Sequence, residues 1–336
     1  MKLKQKIYNL LRWSQKYTQT DMVYLAKGGF WLTLGQIIST ASGFLLAIAF
    51  ANLLPKETYG TYKYVLSLAS ILAIPTLSGM NTAIVRAVAQ GYEGSFIPAL
   101  KTKLRWGILS SLASLGLAGY YFFQGNTTLT ICFLIVAVFL PLMNSFAIYE
   151  AFWGGKKRFK IQTKYRVITQ ILAVSGLIIT LFLNQNLFLI LLVYFASYTL
   201  LRFIFLQITI KKVKFSQKQD PETISYGKHL SLMGVIGLIA GQLDKLLLWH
   251  FLGAVPLAIY FIAVTPPIKI KDALKTIGGL ALPKFSQRSK EELKRSVSKK
   301  VIKLFLLVVP IVILYIILAP LMYKILFPQY LDSVIY

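Results

Sequence analysis

Long apolar runs separated by short polar stretches recur along the whole chain. Each run is close to the roughly 20 residues that an α-helix needs to cross a bilayer. Nine such runs lie at about 29–51, 64–88, 107–123, 129–152, 167–183, 187–210, 230–252, 256–282 and 304–326. The longest gaps between runs have about twenty residues, so no water-soluble domain fits between them. The pattern therefore predicts an all-α polytopic membrane protein with about nine transmembrane helices.

The composition agrees with a membrane protein. Of the 336 residues, 56% are hydrophobic and 14% are charged, whereas about a quarter of the residues of a soluble domain are charged. The single cysteine, Cys132, excludes an intrachain disulfide. His229 and His250 stand at opposite ends of one run, too far apart to share a metal ion. Nucleotide-binding and hydrolase motifs are missing as well, so we expect no cofactor, no metal and no enzymatic activity.

The net charge of +26 is distributed unevenly along the chain. With nine spans, 28 of the 37 lysines and arginines fall on one side of the membrane. The connections on the other side contain two lysines, and they are 52–63, 124–128, 184–186 and 252–255. Basic connections stay in the cytoplasm, which predicts a cytoplasmic N-terminus in the cell membrane. We interpret the charge as a signal for topology and for contact with anionic membrane lipids, and not as a nucleic-acid surface.

Polar side chains also occur inside the apolar runs, where function usually shows in membrane proteins. In the first run, Thr33, Gln36 and Thr40 are separated by three and four residues, which places them on one face of a helix. This face either lines a lumen or packs closely against a neighbouring helix, since hydroxyl and small side chains do both.

The eighth run carries four charged residues at a depth where charges are costly. They are Lys269, Lys271, Asp272 and Lys275. The first two would lie about 18–21 Å from the outer end of the helix, near the middle of the hydrocarbon core. Pro266-Pro267 removes two backbone donors just before them, so we expect a kink or break there, as in helices that line a cavity. The alternative is an amphipathic helix on the cytoplasmic face.

A second pair of charges, Asp244 and Lys245, interrupts the seventh run. Adjacent residues point about 100° apart on a helix, so each charge is expected to need a partner elsewhere. The eighth run offers Lys269, Lys271 and Asp272 as partners. Asp244 and Asp272 would either carry a coupling ion or pair the two helices.

Positive charge exceeds negative charge among these residues. The predicted substrate site is a cationic cavity formed by Lys245, Lys269, Lys271, Lys275 and Arg86. Positive groups in a medium of low dielectric constant attract anions strongly. We therefore expect the cavity to bind an anionic group such as a phosphate or a pyrophosphate.

Three segments of the chain resemble one family of membrane proteins. They are FANLLPKETYGTYKYVLSLASILAIPTLSGMNTAIVRAVAQG (50–91), QLDKLLLWHFLGAVPLAIYFIAVTPPIKIKDALKTIGGLALPKFS (242–286) and LFPQYLDSV (326–334). The first is similar to the first two spans of the polysaccharide-biosynthesis flippases, the second to their seventh and eighth spans, and the third to the loop after the ninth. These flippases belong to the superfamily of multidrug, oligosaccharidyl-lipid and polysaccharide exporters. Pro55 departs from the family, which often has glycine there.

The resemblance implies a fold of two six-helix lobes with a central cavity between them. The expected units are an N-terminal six-helix transmembrane lobe (1–215), a cytoplasmic linker (216–227) and a partial C-terminal transmembrane lobe (228–336). The family usually has twelve or more spans, so we expect the second lobe to be incomplete.

The resemblance also implies a function. The expected activity is the translocation of a polyprenyl-pyrophosphate-linked oligosaccharide from the cytoplasmic to the outer leaflet for surface polysaccharide synthesis, by alternating access. H⁺ and Na⁺ are the candidate coupling ions. Two alternatives stay open. A multidrug or organic-cation exporter of the same superfamily would need acids to dominate the cavity, and a membrane glycosyltransferase or polymerase would need a larger loop with clustered acids.

Overall fold

The computed structural model describes residues 22–285 and 290–334, and their side chains from Gly28 to Lys269, at Lys271 and over most of 305–333. Within these ranges the chain forms helices and no β-strand. The α-helices are α1 (Met22–Leu53), α2 (Lys56–Leu72), α3 (Gly79–Ala89), α4 (Phe96–Phe123), α5 (Thr127–Phe146), α6 (Ile148–Gly155), α7 (Phe159–Leu183), α8 (Leu187–Lys212), α9 (Thr223–Met233), α10 (Val235–Leu252), α11 (Ala254–Phe285) and α12 (Lys290–Leu326). Short 3₁₀ helices cover Ile74–Thr76, Glu93–Ser95 and Pro328–Val334.

Most of the described helices can cross a membrane. They form seven spans that are long and apolar enough to do so, two of which join α5 with α6 and α9 with α10, and the count is eight when α2 and α3 form one bent span. The shorter apolar stretch Ala254–Lys269 of α11 occupies the position of the predicted eighth span. The two shortest predicted runs, 107–123 and 167–183, belong to full-length spans that begin earlier, at Glu93 and Phe159. The all-helical membrane fold predicted from the sequence is confirmed.

The second span is broken near its middle, although its sequence predicts one continuous run. α2 ends at Leu72, α3 begins at Gly79, and the two halves meet at an angle of 49°. Pro75 lies in the 3₁₀ helix between them, and Leu77 has a φ of 55°, in the left-handed region that non-glycine residues seldom adopt. Irregular backbone at membrane depth is tolerated where protein or a polar cavity surrounds it, so this break marks a place to look for a site.

The break predicted at Pro266-Pro267 does not occur, because α11 continues through both prolines. A proline cannot donate to the carbonyl four residues earlier, which here leaves the carbonyls of Ile262 and Ala263 without their helical donors. The hydroxyl of Tyr323 on α12 lies 3.1 Å from the first carbonyl oxygen and 3.3 Å from the second, and donates to them. A neighbouring helix thus supplies the hydrogen bonding that the prolines remove, which is a known way for membrane helices to accommodate proline.

Three of the basic connections meet at one end of the helix bundle. The N–H of Gly94, before α4, donates to the carbonyl of Lys218, before α9, at 3.1 Å. Lys156, before α7, forms an ion pair with Glu93. We call this the basic end, and we call the opposite end, where α1 connects to α2, the distal end. The contacts agree with the predicted grouping of basic connections on one side.

Two clusters of buried apolar side chains hold the described helices together, one toward each end. The distal cluster includes Phe50, Tyr59, Cys132, Phe133, Leu257 and Phe327. The basal cluster includes Met80, Phe96, Tyr149, Phe152 and Phe205. The distal cluster joins α11 and the end of α12 to the N-terminal helices, so it also fixes the helices that carry the predicted site.

Candidate anion site within the spanning helices

Three lysines from different helices come together beside α11. We call Lys63 on α2, Lys245 on α10 and Lys269 on α11 the lysine group. The ammonium nitrogen of Lys63 lies 4.9 Å from the ring centroid of Phe261 and 5.2 Å from that of Tyr59. Lys245 approaches the same Phe261 ring at 6.0 Å. Because an aromatic face attracts an ammonium group, Phe261 is a contact shared by cations from two other helices.

Lys269 extends the lysine group toward α1. A Cβ atom placed on Gly43 would lie 3.3 Å from the ammonium nitrogen of Lys269, so this lysine reaches the face of α1 that carries Thr40 and Gln36. Gln36 Nε2 donates to Thr40 Oγ1 at 3.4 Å. Lys269 is also close enough to Lys63 for the two ammonium groups to repel each other. The polar face predicted on α1 therefore lies next to the lysine group.

Asp244 and Lys245 of α10 contact each other. Their separation of about 100° around the helix does not predict this contact. Lys245 Nζ lies 3.5 Å from Asp244 Oδ1 and donates to the carbonyl of Gly241 at 2.5 Å. Asp244 also accepts a hydrogen bond from the hydroxyl of Tyr260 on α11. The flexible lysine side chain folds back along its own helix, which brings its ammonium group to the neighbouring carboxylate. Asp244 alone has the expected polar partner on another helix, and that partner is a tyrosine.

The other predicted site residues lie elsewhere or outside the described side chains. Arg86 is in the last turn of α3, where its guanidinium lies 4.8 Å from the ring centroid of a tyrosine of α9, near the basic end. Lys271 is exposed on α11, and Thr33 is half-buried on α1. The side chains of Asp272 and Lys275 fall outside the described ones.

Lys63 is the member of the lysine group that the sequence reasoning did not assign. The second apolar run begins at about residue 64, which places Lys63 in a connection near the end of a span. In the structure α2 begins at Lys56, so Lys63 lies within the helix. The available signal is its spacing from Tyr59, because residues four positions apart on a helix are neighbours and can form a cation–aromatic contact.

Among the described residues, carboxylates neutralise only part of the positive charge of the lysine group. Lys245 is paired with Asp244, whereas Lys63 and Lys269 form no ion pair with a carboxylate in the described part of the chain. At an effective dielectric constant of 20, two opposite unit charges 4 Å apart attract by about 4 kcal/mol. The arrangement can therefore hold an anion that presents several oxygen atoms.

Polar contacts hold the helices around the lysine group together at the distal end. Asn52 Nδ2 donates to the carbonyl of Leu326 at 2.8 Å, and Gln329 Nε2 donates to the carbonyl of Asn52 at 3.2 Å. Lys56 forms an ion pair of 3.3 Å with Asp332. These bonds join the end of α1 and the start of α2 to the segment that follows α12.

Close packing between α2 and the α10–α11 hairpin reinforces these bonds. The rings of Tyr64 and Trp249 are stacked, with centroids 4.1 Å apart and planes 8° apart. At Gly60 a Cβ atom would collide with the carbonyl of Ala254, so α2 and α11 touch backbone to backbone. The described helices are thus closed against each other at the distal end.

The comparison with protein families decides what kind of protein carries this site. The family model for polysaccharide biosynthesis proteins matches residues 25–289. The chain belongs to this family. An uncharacterized membrane protein of Methanocaldococcus jannaschii is similar to this chain, with 25% identity over an alignment of 344 positions that covers 91% of this chain and 68% of that protein.

Solved transporter structures have the same fold as this chain. A crystal structure of MATE in the bent conformation matches with a TM-score of 0.53 and 15% identity, over 92% of this chain and 76% of that one. An outward-facing multidrug resistance MATE family transporter of the MOP superfamily matches with a TM-score of 0.51 and 12% identity, over 93% of this chain and 77% of that one. Family and fold together make the protein a multi-pass membrane protein of the polysaccharide biosynthesis family, with a fold like that of the MATE transporters.

Proposed function

We propose that this protein is a flippase that moves a polyprenyl-pyrophosphate-linked oligosaccharide from the cytoplasmic to the outer leaflet of the cell membrane. The observation that carries the proposal is the lysine group, in which Lys63, Lys245 and Lys269 gather positive charge inside the spanning helices. A pyrophosphate has the charge and the number of oxygen atoms that such a group binds. Membership of the polysaccharide biosynthesis family supports a saccharide as the cargo.

The distal contacts support alternating access as the mechanism. The positive-inside rule assigns the basic end to the cytoplasm, which makes the distal end the outer one. With the distal end closed by the Lys56–Asp332 pair and by the Tyr64–Trp249 stack, the cargo would reach the lysine group from the cytoplasmic side. Separation of α2 from α10 and α11 would then release the cargo to the outer leaflet.

Two units would move against each other in this mechanism. They are the N-terminal lobe, 1–215, and the C-terminal part, 228–336, with 216–227 as the linker between them. The linker would serve as the hinge on the cytoplasmic side. Its Lys218 lies at the basic end, which supports that placement.

Of its two candidate roles, we assign Asp244 the pairing of helices. It contacts Lys245 on its own helix and accepts from Tyr260 on α11, so the carboxylate ties α10 to α11. Asp272 remains the candidate carrier of a coupling H⁺ or Na⁺.

The proposal is tested by flipping in proteoliposomes that contain the purified full chain. A fluorescent polyprenyl-pyrophosphate-linked oligosaccharide is incorporated, and its transfer between leaflets is followed by chemical quenching of the accessible dye. Lys63→Gln and Lys269→Gln should each lower the initial rate at least tenfold, because each removes a cation from the anion site. Lys101→Gln is the matched control, since Lys101 is exposed on α4 outside the lysine group.

The outcomes separate the candidate functions. Unchanged flipping by both site variants would contradict the lysine group as the place where the cargo binds. Transport of an organic dye cation with no flipping of the lipid-linked sugar would favour the drug exporter. Transfer of a radiolabelled sugar from a nucleotide sugar to lipid would favour the glycosyltransferase.

A further inference from the structure

A polar cavity of about 360 Å³ lies beside the break of the second span. It also touches Ala147, which lies between α5 and α6 in the span from Thr127 to Gly155. Its polar lining comes from six helices and the 3₁₀ turn, and consists of Ser70, Thr76, Ser78, Asn81, Lys103, Asn144, Glu150 and Arg202. Broken helices at membrane depth commonly form binding sites, and no residue of this cavity belongs to the lysine group.

Two of the lining residues are cations that form no ion pair with a carboxylate of the described residues. Lys103 is 1% exposed, and its Nζ lies 3.1 Å from Asn81 Oδ1 and 3.5 Å from the carbonyl oxygen of Leu77, both neutral acceptors. Arg202 donates from one terminal nitrogen to the carbonyl of Met143 at 3.0 Å. Its buried Nε–H has no hydrogen-bond partner among the described residues. Two cationic side chains, each held by hydrogen bonds to neutral acceptors, therefore face this cavity.

Glu150 is the one carboxylate among the lining residues. It lies close enough to Arg202 and Arg166 for attraction, yet it forms no ion pair in the described part of the chain. The lining thus carries two positive charges and one negative charge, none of them directly neutralised. Charges away from bulk water are costly unless they are paired and hydrogen-bonded, so a polar occupant with a negative group fits this cavity best.

The cavity lies along α2 from the lysine group. Ser70 lines the cavity and follows Lys63 by seven residues, which places both on the same face of α2 about 10 Å apart. The volume is at the small end of the range of about 300–1,000 Å³ for small-molecule sites. One sugar ring matches the volume of the cavity. The separation along α2 matches a sugar that lies a short distance from a pyrophosphate in the lysine group.

We propose that this cavity binds an acidic sugar residue of the cargo, with the negative group of the sugar between Lys103 and Arg202. This inference rests on the proposed function and narrows the cargo to an anionic glycan. The amides and hydroxyls of the lining, such as Asn81 and Asn144, then bond to the sugar hydroxyls. Glu150 keeps the charge of the lining at one positive unit and not two, which weakens binding enough for the sugar to leave again.

The test uses the purified full chain in lipid nanodiscs, with free glucuronate, glucose and inorganic pyrophosphate as separate probes of binding. Glucuronate should bind at least tenfold more tightly than glucose. Arg202→Gln and Lys103→Gln should each weaken glucuronate binding at least tenfold and leave pyrophosphate binding unchanged. Arg202→Lys, which keeps the charge, should lose less glucuronate affinity than Arg202→Gln. Lys63→Gln should have the opposite effect to Arg202→Gln and Lys103→Gln. It should abolish pyrophosphate binding and leave glucuronate binding unchanged.

Glu150→Gln provides a test that does not remove a cation from the fold. It deletes the negative charge of the lining, so glucuronate affinity should rise by roughly threefold or more. Equal affinity for glucose and glucuronate in the wild-type chain, or no gain with Glu150→Gln, would overturn the acidic-sugar site. Normal pyrophosphate binding and normal flipping beside such a result would leave the proposed function standing. If the wild-type chain does not bind pyrophosphate, the proposed function is overturned, whether or not the chain binds glucuronate.

Discussion

The hydroxyl of Tyr323 lies 3.1 Å from the carbonyl oxygen of Ile262, the acceptor that Pro266 leaves without a helical donor. The same hydroxyl lies 3.3 Å from the carbonyl oxygen of Ala263, which Pro267 leaves free in the same way. The single O–H of this tyrosine on α12 is thus shared between two consecutive free carbonyls of α11, and it helps to fix the helix that carries Phe261 and Lys269.

Tyr323→Phe should lower the free energy of unfolding by about 1–3 kcal/mol, because two buried carbonyls lose their donor. The change is measured as the shift in the thermal unfolding transition by circular dichroism in detergent. Tyr330→Phe is the matched control, since the buried hydroxyl of Tyr330 has no hydrogen-bond partner among the described residues. A Tyr330→Phe effect as large as that of Tyr323→Phe would contradict this account of the prolines.

The Tyr64–Trp249 stack should contribute more to distal closure than the Lys56–Asp332 ion pair. Asp332 is 71% exposed, and an exposed ion pair contributes about 0.2–1 kcal/mol. An aromatic pair adds about 0.5–1.5 kcal/mol beyond the area that it buries. Trp249→Leu should therefore raise hydrogen–deuterium exchange at the start of α2 by roughly tenfold, and Lys56→Gln by less than about fivefold. Equal effects of the two substitutions would show that the stack does not hold the distal end closed.

Gly60→Ala should destabilise the protein, although alanine normally favours a helix. The added methyl group would collide with the carbonyl of Ala254, and relief of that overlap costs about 1–3 kcal/mol. Gly116→Ala on α4 is the control, because no atom lies within 4 Å of its added Cβ. There the helix propensity of alanine should stabilise the protein by up to about 1 kcal/mol. Thermal unfolding of both variants should give shifts of opposite sign.

Asp244→Asn should weaken the contact of α10 with α11 and leave ion coupling in place. The neutral amide loses the charged acceptor of Tyr260 and the contact with Lys245, so stability should fall by about 1–3 kcal/mol. Asp332→Asn, which neutralises an exposed acid, should change stability much less. The decisive measurement is flipping with and without an imposed H⁺ or Na⁺ gradient. Loss of the gradient dependence in Asp244→Asn would assign Asp244 to coupling.

Hydrophobic periodicity was sufficient to predict the spans, because each membrane helix buries its own backbone hydrogen bonds and its length is set by the bilayer. The break at Leu77 was not predicted in this way, because the run is apolar on both sides of it, although Pro75 and Gly79 are residues typical of a helix boundary. The continuity of α11 escaped prediction for a different reason. It depends on Tyr323, which is remote in sequence from the prolines and becomes a neighbour only in the folded chain.

The site was predictable in part. The lysines at 245 and 269 stood out because charge is rare inside apolar runs. Lys63 did not, because the apolar run begins after it while the helix begins before it. The approach of Lys63 and Lys245 to one aromatic ring, and of Lys269 to the face of α1, is a property of helix packing, and no spacing along the chain encodes it. The same holds for the cavity that contains Lys103 and Arg202.

Cys132 makes the native chain suitable for experiments that label thiols. It is the only cysteine in the chain, and it is fully buried within the distal cluster. A thiol without solvent access does not react with a maleimide dye. The folded protein should therefore remain unlabelled, and unfolding should allow the dye to label Cys132. Labelling of Cys132 therefore reports whether the protein is folded. A cysteine placed on the surface should be the first thiol to label, which makes the native sequence a ready background for attaching probes.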